Sequence, residues 1–375
     1  MLSRVADTLY WMARNIERAE NNARIIAARL SRMPESWEEG EGTAGAASAG
    51  SDRADGTESG ARWAPFRSFS GAGADGLAQG VPQEADLNLA GDWEELLEIN
   101  ASLADYLDNH SELVPGEILH YLTFSESNPN SIASCIAYAR NNARSARDSI
   151  PHELWETLND MYWNVRRAAE EGGELRDYYP FLQAVKVGSF TTQGVIESLM
   201  PRGAPYLFVQ TGKWLERAEK TARILNVVCA KAMKPEEQLP ARQYVYWLTA
   251  LELVGGSDAF LRQYPPYMHP KDVLAFLMAD RAYPRSIRYC VDHFVQAMYR
   301  LEDEGVTLYT GPLVAAVEQL SEQFGQSRIH EWPLHDLERD LDRFQNLCNE
   351  IGALVTGTLR PDDGFRYEAM MCIQE

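Results

Sequence analysis

The segment WLERAEKTAR at residues 214–223 repeats NIERAENNAR at residues 15–24, with Glu-Arg-Ala-Glu in register 199 positions apart. A second pair follows in the same order. YLTFSESNPNSIASCI at 121–136 and FLMADRAYPRSIRYCV at 276–291 align Pro129 with Pro284, Ser131 with Ser286, Ile132 with Ile287 and Cys135 with Cys290, each 155 positions apart. Two landmarks recurring in order constrain the fold more than any single motif does. They predict one supersecondary unit used twice, each copy covering surface that the other leaves open. The two spacings differ by 44 residues, so one copy carries an insertion that the other lacks.

The insertion is visible in composition. Residues 35–86 hold 10 Gly, 11 Ala and 6 Ser, too little apolar surface to offset the entropy of ordering them. This segment is therefore expected to be a disordered insertion. It carries −7 of the total charge of −20, leaving −13 on the rest of the chain. GAGADG at 71–76 fits GxGxxG, but a dinucleotide fingerprint needs a strand before it and a helix after it, and a Gly/Ala tract provides neither.

Outside the insertion the apolar residues recur at helical spacing. Leu9, Met12, Ile16, Ala19, Ala23, Ile26 and Leu30 form one stripe. Similar patterns predict helices at about 92–109, 115–124, 130–148, 151–171, 174–199, 205–233, 240–253, 270–280, 285–302, 306–325 and 335–357. GG at 172–173, PRGAP at 201–205 and YPPYMHP at 264–270 are the breakers between them. Few stretches alternate with period two. The expected fold is all-α, about twelve helices in one bundle-like domain over residues 1–360. Its first half would be 1–34 plus 87–200 and its second half 201–360, with a flexible tail at 361–375.

The repeated charges are the first candidate site. Glu20 and Arg24, like Glu219 and Arg223, are i, i+4 pairs in the favourable order. Glu17 and Arg18 match Glu216 and Arg217, and Arg14 matches Lys213. A lone segment of this kind reads as a solvated, self-paired helix face. The duplication adds two readings: an ionic network between the two copies, or arginines left free to grip a carboxylate or phosphate. A second basic stripe, Arg140, Arg144 and Arg147, lies on one face of YARNNARSARDSI and reads first as solvated or paired with carboxylates. Arg281, Arg285 and Arg288 are its partial counterpart.

Here a resemblance becomes specific. SRVADTLYWMARNIERAENNAR, NPNSIASCIAYARNNARSARDSI followed by LWETLND, and LFVQTGKWLERAEKTARIL resemble the bacterial alpha-E domain family, an all-helical domain with a repeated Glu-Arg motif. The resemblance covers nearly the whole chain apart from 35–86. It implies no established catalytic activity and no cofactor. It implies association with a circularly permuted ATP-grasp protein and with transglutaminase-like proteins, and so a role in ATP-dependent peptide or amide-bond formation. With no fused ATP-grasp domain expected here, the ligase would be a separate chain. The long insertion departs from the family pattern.

Other chemistry is poorly represented. There is no GxxxxGK[ST] and no HExxH, and Glu117-x-x-His120 stands alone where a di-iron bundle needs two such motifs. Cys135 and Cys290 sit among apolar neighbours, and His293 near Cys290 has no evident third group to orient it. Five widely spaced cysteines (Cys135, Cys229, Cys290, Cys348, Cys372) without CxxC read as reduced thiols of a cytoplasmic protein. The charged N-terminus is not expected to be a signal peptide. No run of about 18 apolar residues predicts a membrane span, and the acidity argues against nucleic-acid binding. Three functions fit: a non-catalytic accessory of an ATP-grasp-type ligase, which is preferred; an enzyme with a Glu/Arg site between the halves; or a helical adaptor without turnover.

Overall fold

A computed structural model of the chain describes residues 3–32, 89–171, 178–234, 237, 239–306, 311–325 and 334–357. The insertion expected at 35–86 and the tail expected at 361–375 lie outside the described residues. The fold is all-α, and no strand occurs among the described residues.

Fourteen α-helices are described, and they fall into two runs of seven. The first run is α1 (Ser3–Leu30), α2 (Leu89–Ile99), α3 (Leu103–Leu107), α4 (Pro115–Thr123), α5 (Ile132–Ser145), α6 (His152–Glu171) and α7 (Tyr178–Leu199). The second is α8 (Ala204–Ala232), α9 (Pro240–Leu253), α10 (Ser257–Leu261), α11 (Pro270–Leu274), α12 (Ile287–Asp303), α13 (Gly311–Gly325) and α14 (Leu334–Gly357). A π-helical turn, Ala275–Ala279, extends α11. Pro115 opens α4 and Pro270 opens α11, again 155 positions apart. Proline suits the first helical turn because its missing N–H would have no intrahelical partner there. Ser131 and Ser286 cap α5 and α12 in the same way, their Oγ atoms accepting from the amides of Ser134 and Tyr289 at 3.1 and 3.0 Å.

Packing repeats with the sequence. α1 lies against α5 and α7, as α8 lies against α12 and α14. α6 bridges α5 and α7, as α13 bridges α12 and α14. The two central helices, α1 and α8, pack on each other. They come close together at Gly212, where a Cβ would run into the Tyr10 carbonyl and lie 3.2 Å from Ala13 Cβ. Ala13 and Gly212 are equivalent positions of the repeat, so the crossing falls where the two copies share one register. Only small residues permit backbones this close.

Leu9, Met12, Ile16, Ala19, Ala23 and Ile26 of the predicted stripe are all buried. So are Arg14, Glu17 and Glu20 on another arc, because α1 is enclosed nearly all round. The expected helix at 92–109 is broken. Ala101 takes φ 52°, and the amides of Ala101 and Ser102 bond back to Glu98 and Leu97 carbonyls, closing α2 before α3 begins. The expected helix at 270–280 gives way to the π turn. The one expected from 306 is described from Gly311. The five-residue α10, entered through Gly255 and Gly256, is too short to show a period.

Candidate functional site

At the α1–α8 crossing the repeated charges meet across the two copies. Arg18 donates through Nε to Glu216 Oε1 at 2.6 Å and through Nη2 to Oε2 at 3.0 Å. Arg217 returns the same fork to Glu17, at 2.6 and 2.8 Å. These two-point pairs join residues about 200 positions apart, and each acid is at most 3 % exposed. Arg14 adds contacts to Glu216 at 2.6 Å and Glu219 at 2.5 Å, and Arg223 reaches Glu219 at 3.2 Å. On the opposite side Glu20 is held by Arg24 within its own helix and by Arg285 at 2.5 Å.

The solvated-face reading is therefore corrected. The i, i+4 pairs Glu20–Arg24 and Glu219–Arg223 exist, but their acids are buried and also gripped from outside their own helix, Glu219 by Arg14 of α1 and Glu20 by Arg285 of the loop before α12. The duplication makes this possible, because each copy presents an arginine where the other presents a glutamate. Burial by itself would raise the Glu20 carboxyl, but Arg285 and Arg24 outweigh it and hold it down at about 2. Glu216 is driven well below the usual range in the same way, burial being outweighed by Arg18 and Arg14. Burial disfavours the charged forms of Arg18 and Arg217 too, yet Glu216 and Glu17 raise both further above the usual value.

The loops before α5 and α12 complete the lattice. Asn22 donates to the Asn130 carbonyl at 2.7 Å, and its equivalent Thr221 donates to the Arg285 carbonyl at 2.9 Å. Asn130 and Arg285 are themselves equivalent, one residue after the aligned prolines. Arg18 also donates to Asn130 Oδ1 at 3.0 Å, while Arg285 donates to Asn21 Oδ1 at 2.6 Å. Asn130 does not stand out by sequence, and Arg285 does so only as part of the partial basic stripe with Arg281 and Arg288, not as a partner of Glu20. The 155-position alignment, extended one residue past each proline, is the signal that finds them.

Two lysines lie within this polar core. Lys220 is buried, with Nζ donating to Asn22 Oδ1, the Ile99 carbonyl and Asn100 Oδ1 at 3.2–3.4 Å. Burial and the nearby Arg223 push its pKa down to about 7. Lys213 stands where the other copy has Arg14. Its Nζ lies 3.6 Å from Glu197 and 4.0 Å above the Trp214 ring, and burial and Arg217 bring its pKa down to about 8.

The second basic stripe is placed elsewhere. Arg140 donates to Asn159 at 3.0 Å and lies over the Trp155 and Tyr162 rings, Arg147 stacks on Trp155, and Arg144 is exposed. None of these contacts belongs to the α1–α8 lattice. Arg288 turns to Asp292 at 2.9 Å. Glu117 and His120 are exposed, and no group of three His, Cys, Asp or Glu among the described residues is placed to hold a metal ion. Cys135 and Cys290 point at the carbonyls of Pro129 and Pro284, and burial pushes both thiols up to about 12. His293 stacks on Tyr289 and packs on Trp214. Among the described residues no helix is long and apolar enough to cross a membrane.

Neither a curated protein nor a solved structure matches this chain. A family model does, over residues 1–358, and its description is "a predicted alpha-helical domain with a conserved ER motif". The chain carries Glu-Arg pairs at 17–18 and 216–217 within the matched range, and it belongs to the Alpha-E family.

Proposed function

We propose that this protein is a non-catalytic accessory partner of an ATP-grasp-type peptide or amide ligase, the ligase being a separate, circularly permuted ATP-grasp chain. One observation carries the non-catalytic part. Both oxygens of Glu17 and of Glu216 are taken by arginine forks inside the protein. A general acid or base needs a carboxyl whose proton can be exchanged with substrate near the working pH. Glu216 is held far on the acidic side of that range. The Glu-Arg motif then acts as a clamp that fixes α1 on α8 and shapes an outer surface for a partner. The ligase part of the reading is supported by the family resemblance.

The test is ATP consumption by this protein mixed with a circularly permuted ATP-grasp protein from the same organism, compared with either alone. The reading expects the mixture to exceed the sum and the two chains to co-purify. Turnover of a peptide or amide by this chain alone, abolished in E17Q with an unchanged melting temperature, would move the motif from clamp to active site.

A further inference from the structure

The two sides of the α1–α8 crossing are built alike but are not charged alike. On one side Arg14 spans two carboxylates, Glu216 and Glu219. On the other its equivalent is Lys213, and the carboxylate that Arg14's counterpart would grip, Glu20, is taken by Arg285. A cleft of about 470 Å³ opens on that second side. Its walls carry four cations: Arg24, Lys213, Arg217 and Arg285. The carboxylates that answer them are Glu17, Glu20 and Glu197, and Glu197 is shared with Arg202 at 3.2 Å. A surplus of positive charge is thus held inside a protein of net charge −20.

Two further features belong to the wall of this cleft. Lys213 is 5 % exposed, and its ion pair with Glu197 is a long one, at 3.6 Å, to a carboxylate that Arg202 shares. The amide of Gln193, on the wall, has neither its oxygen nor its nitrogen hydrogen-bonded although both are shut off from water. Arg24 Nε is in the same condition. Polar groups left unpaired in this way are costly unless something meets them. Around the cations the lining turns apolar, with Phe190 half-exposed at the rim and Val254 and Tyr283 buried beneath.

We propose that this cleft binds one small organic oxyanion, a carboxylate or phosphate attached to an apolar body, with Lys213 and Gln193 as its direct ligands. An ammonium and an amide N–H donate to either headgroup, and the surrounding arginines, engaged with Glu17 and Glu20, add a positive field. The volume lies in the range of small-molecule sites, and the apolar rim disfavours a bare inorganic ion. The binding needs no ligase partner, so its success or failure is read separately from the function proposed above.

The test is isothermal titration of the full chain at low salt and pH 7 with 3-phenylpropionate, phenyl phosphate and the neutral 3-phenylpropionamide. Saturable one-to-one binding of either anion, at least about tenfold tighter than the amide, is expected, and the tighter of the two anions identifies the headgroup. Lys213→Met and Gln193→Leu should each weaken it by about tenfold, the worth of one charge-assisted hydrogen bond. Lys213 lies outside the Glu17 and Glu216 forks, and Gln193 lies outside the lattice altogether, so folding of at least one variant is secured. The proposal is overturned if neither anion saturates, if the amide binds equally well, or if both folded variants bind as the native chain does.

Discussion

Arg217 holds Glu17 with both arms of its guanidinium, Nε on one carboxylate oxygen at 2.6 Å and Nη2 on the other at 2.8 Å. Its equivalent Arg18 holds Glu216 in the same fashion. The two forks are reciprocal, so breaking either strands a largely enclosed arginine beside other buried charges. Glu17→Gln and Glu216→Gln should each cost about 3–5 kcal/mol, read by chemical denaturation, because removing one partner of a buried pair leaves the other uncompensated. A loss below about 1 kcal/mol for both would place these pairs in a solvent-screened setting instead.

The crossing itself is testable through glycine. Gly212→Ala should destabilise by about 1–3 kcal/mol, since the new methyl group meets the Tyr10 backbone. Gly116→Ala, with nothing within 4 Å of the added carbon, should leave stability unchanged or raise it by about 0.5 kcal/mol. Thermal melts of the two variants side by side separate close approach from helix propensity.

Stability should depend on pH at both ends. In the fold Glu20 titrates at about 2, below its usual 4.5, so the unfolded chain binds more protons between those values. Its contribution is complete above about pH 4.5 and drains away as the pH falls toward 2. Lys213 and Lys220 are lowered from 10.5 to about 8 and 7, so here too the unfolded chain holds the extra protons. Stability should therefore climb from about pH 7 until the buried thiols, raised from 9 to about 12 in the fold, turn the slope over near pH 9, and Lys220→Met should flatten the climb. Unfolding followed at constant ionic strength checks both slopes.

The thiols report on closure of the core. Cys135, Cys229 and Cys290 are pushed up to about 12 by burial, and Cys348 is also raised by burial. Under native conditions at pH 8 each should label about a thousandfold more slowly than an exposed thiol, and denaturant should abolish the difference. Peptide mapping after alkylation resolves the four sites.

The equivalent caps should cost similar amounts. Ser131→Ala and Ser286→Ala each remove an Oγ that accepts the third amide of its helix, worth about 1 kcal/mol. Each hydroxyl also donates, Ser131 to Ser134 Oγ at 3.0 Å and Ser286 to the Asp280 carbonyl, so the two losses should match in equilibrium denaturation.

Much of this was legible before any coordinates because the repeat is strict where packing is strict. The helix periods of α1 and α8 and the proline starts of α4 and α11 follow from local rules. The pairing of Arg18 with Glu216 follows from the duplication once the copies are taken to face each other. What local rules miss is burial. The charged arc of α1 has the pattern of a wet helix face, and only enclosure by α5, α7 and α8 makes it dry. Arg285 reads by sequence only as part of a basic stripe, and its pairing with Glu20, reached from a loop 265 residues away, is hidden. The break at Ala101 rests on one left-handed residue, and alanine does not advertise that conformation.

The forks run from one copy to the other, so Glu17 and Glu216 find their arginine forks only in the other copy's presence. That is how two identical subunits bind across a twofold axis. The chain has the construction of a homodimer whose subunits were joined end to end. In a true homodimer any substitution appears on both sides of the axis, and a change that suits one side must be tolerated by the other. Joining the subunits lifts that restriction. Lys213 can differ from Arg14, and Arg285 from Asn130, so one side stays a locked seam while the other opens into a cleft.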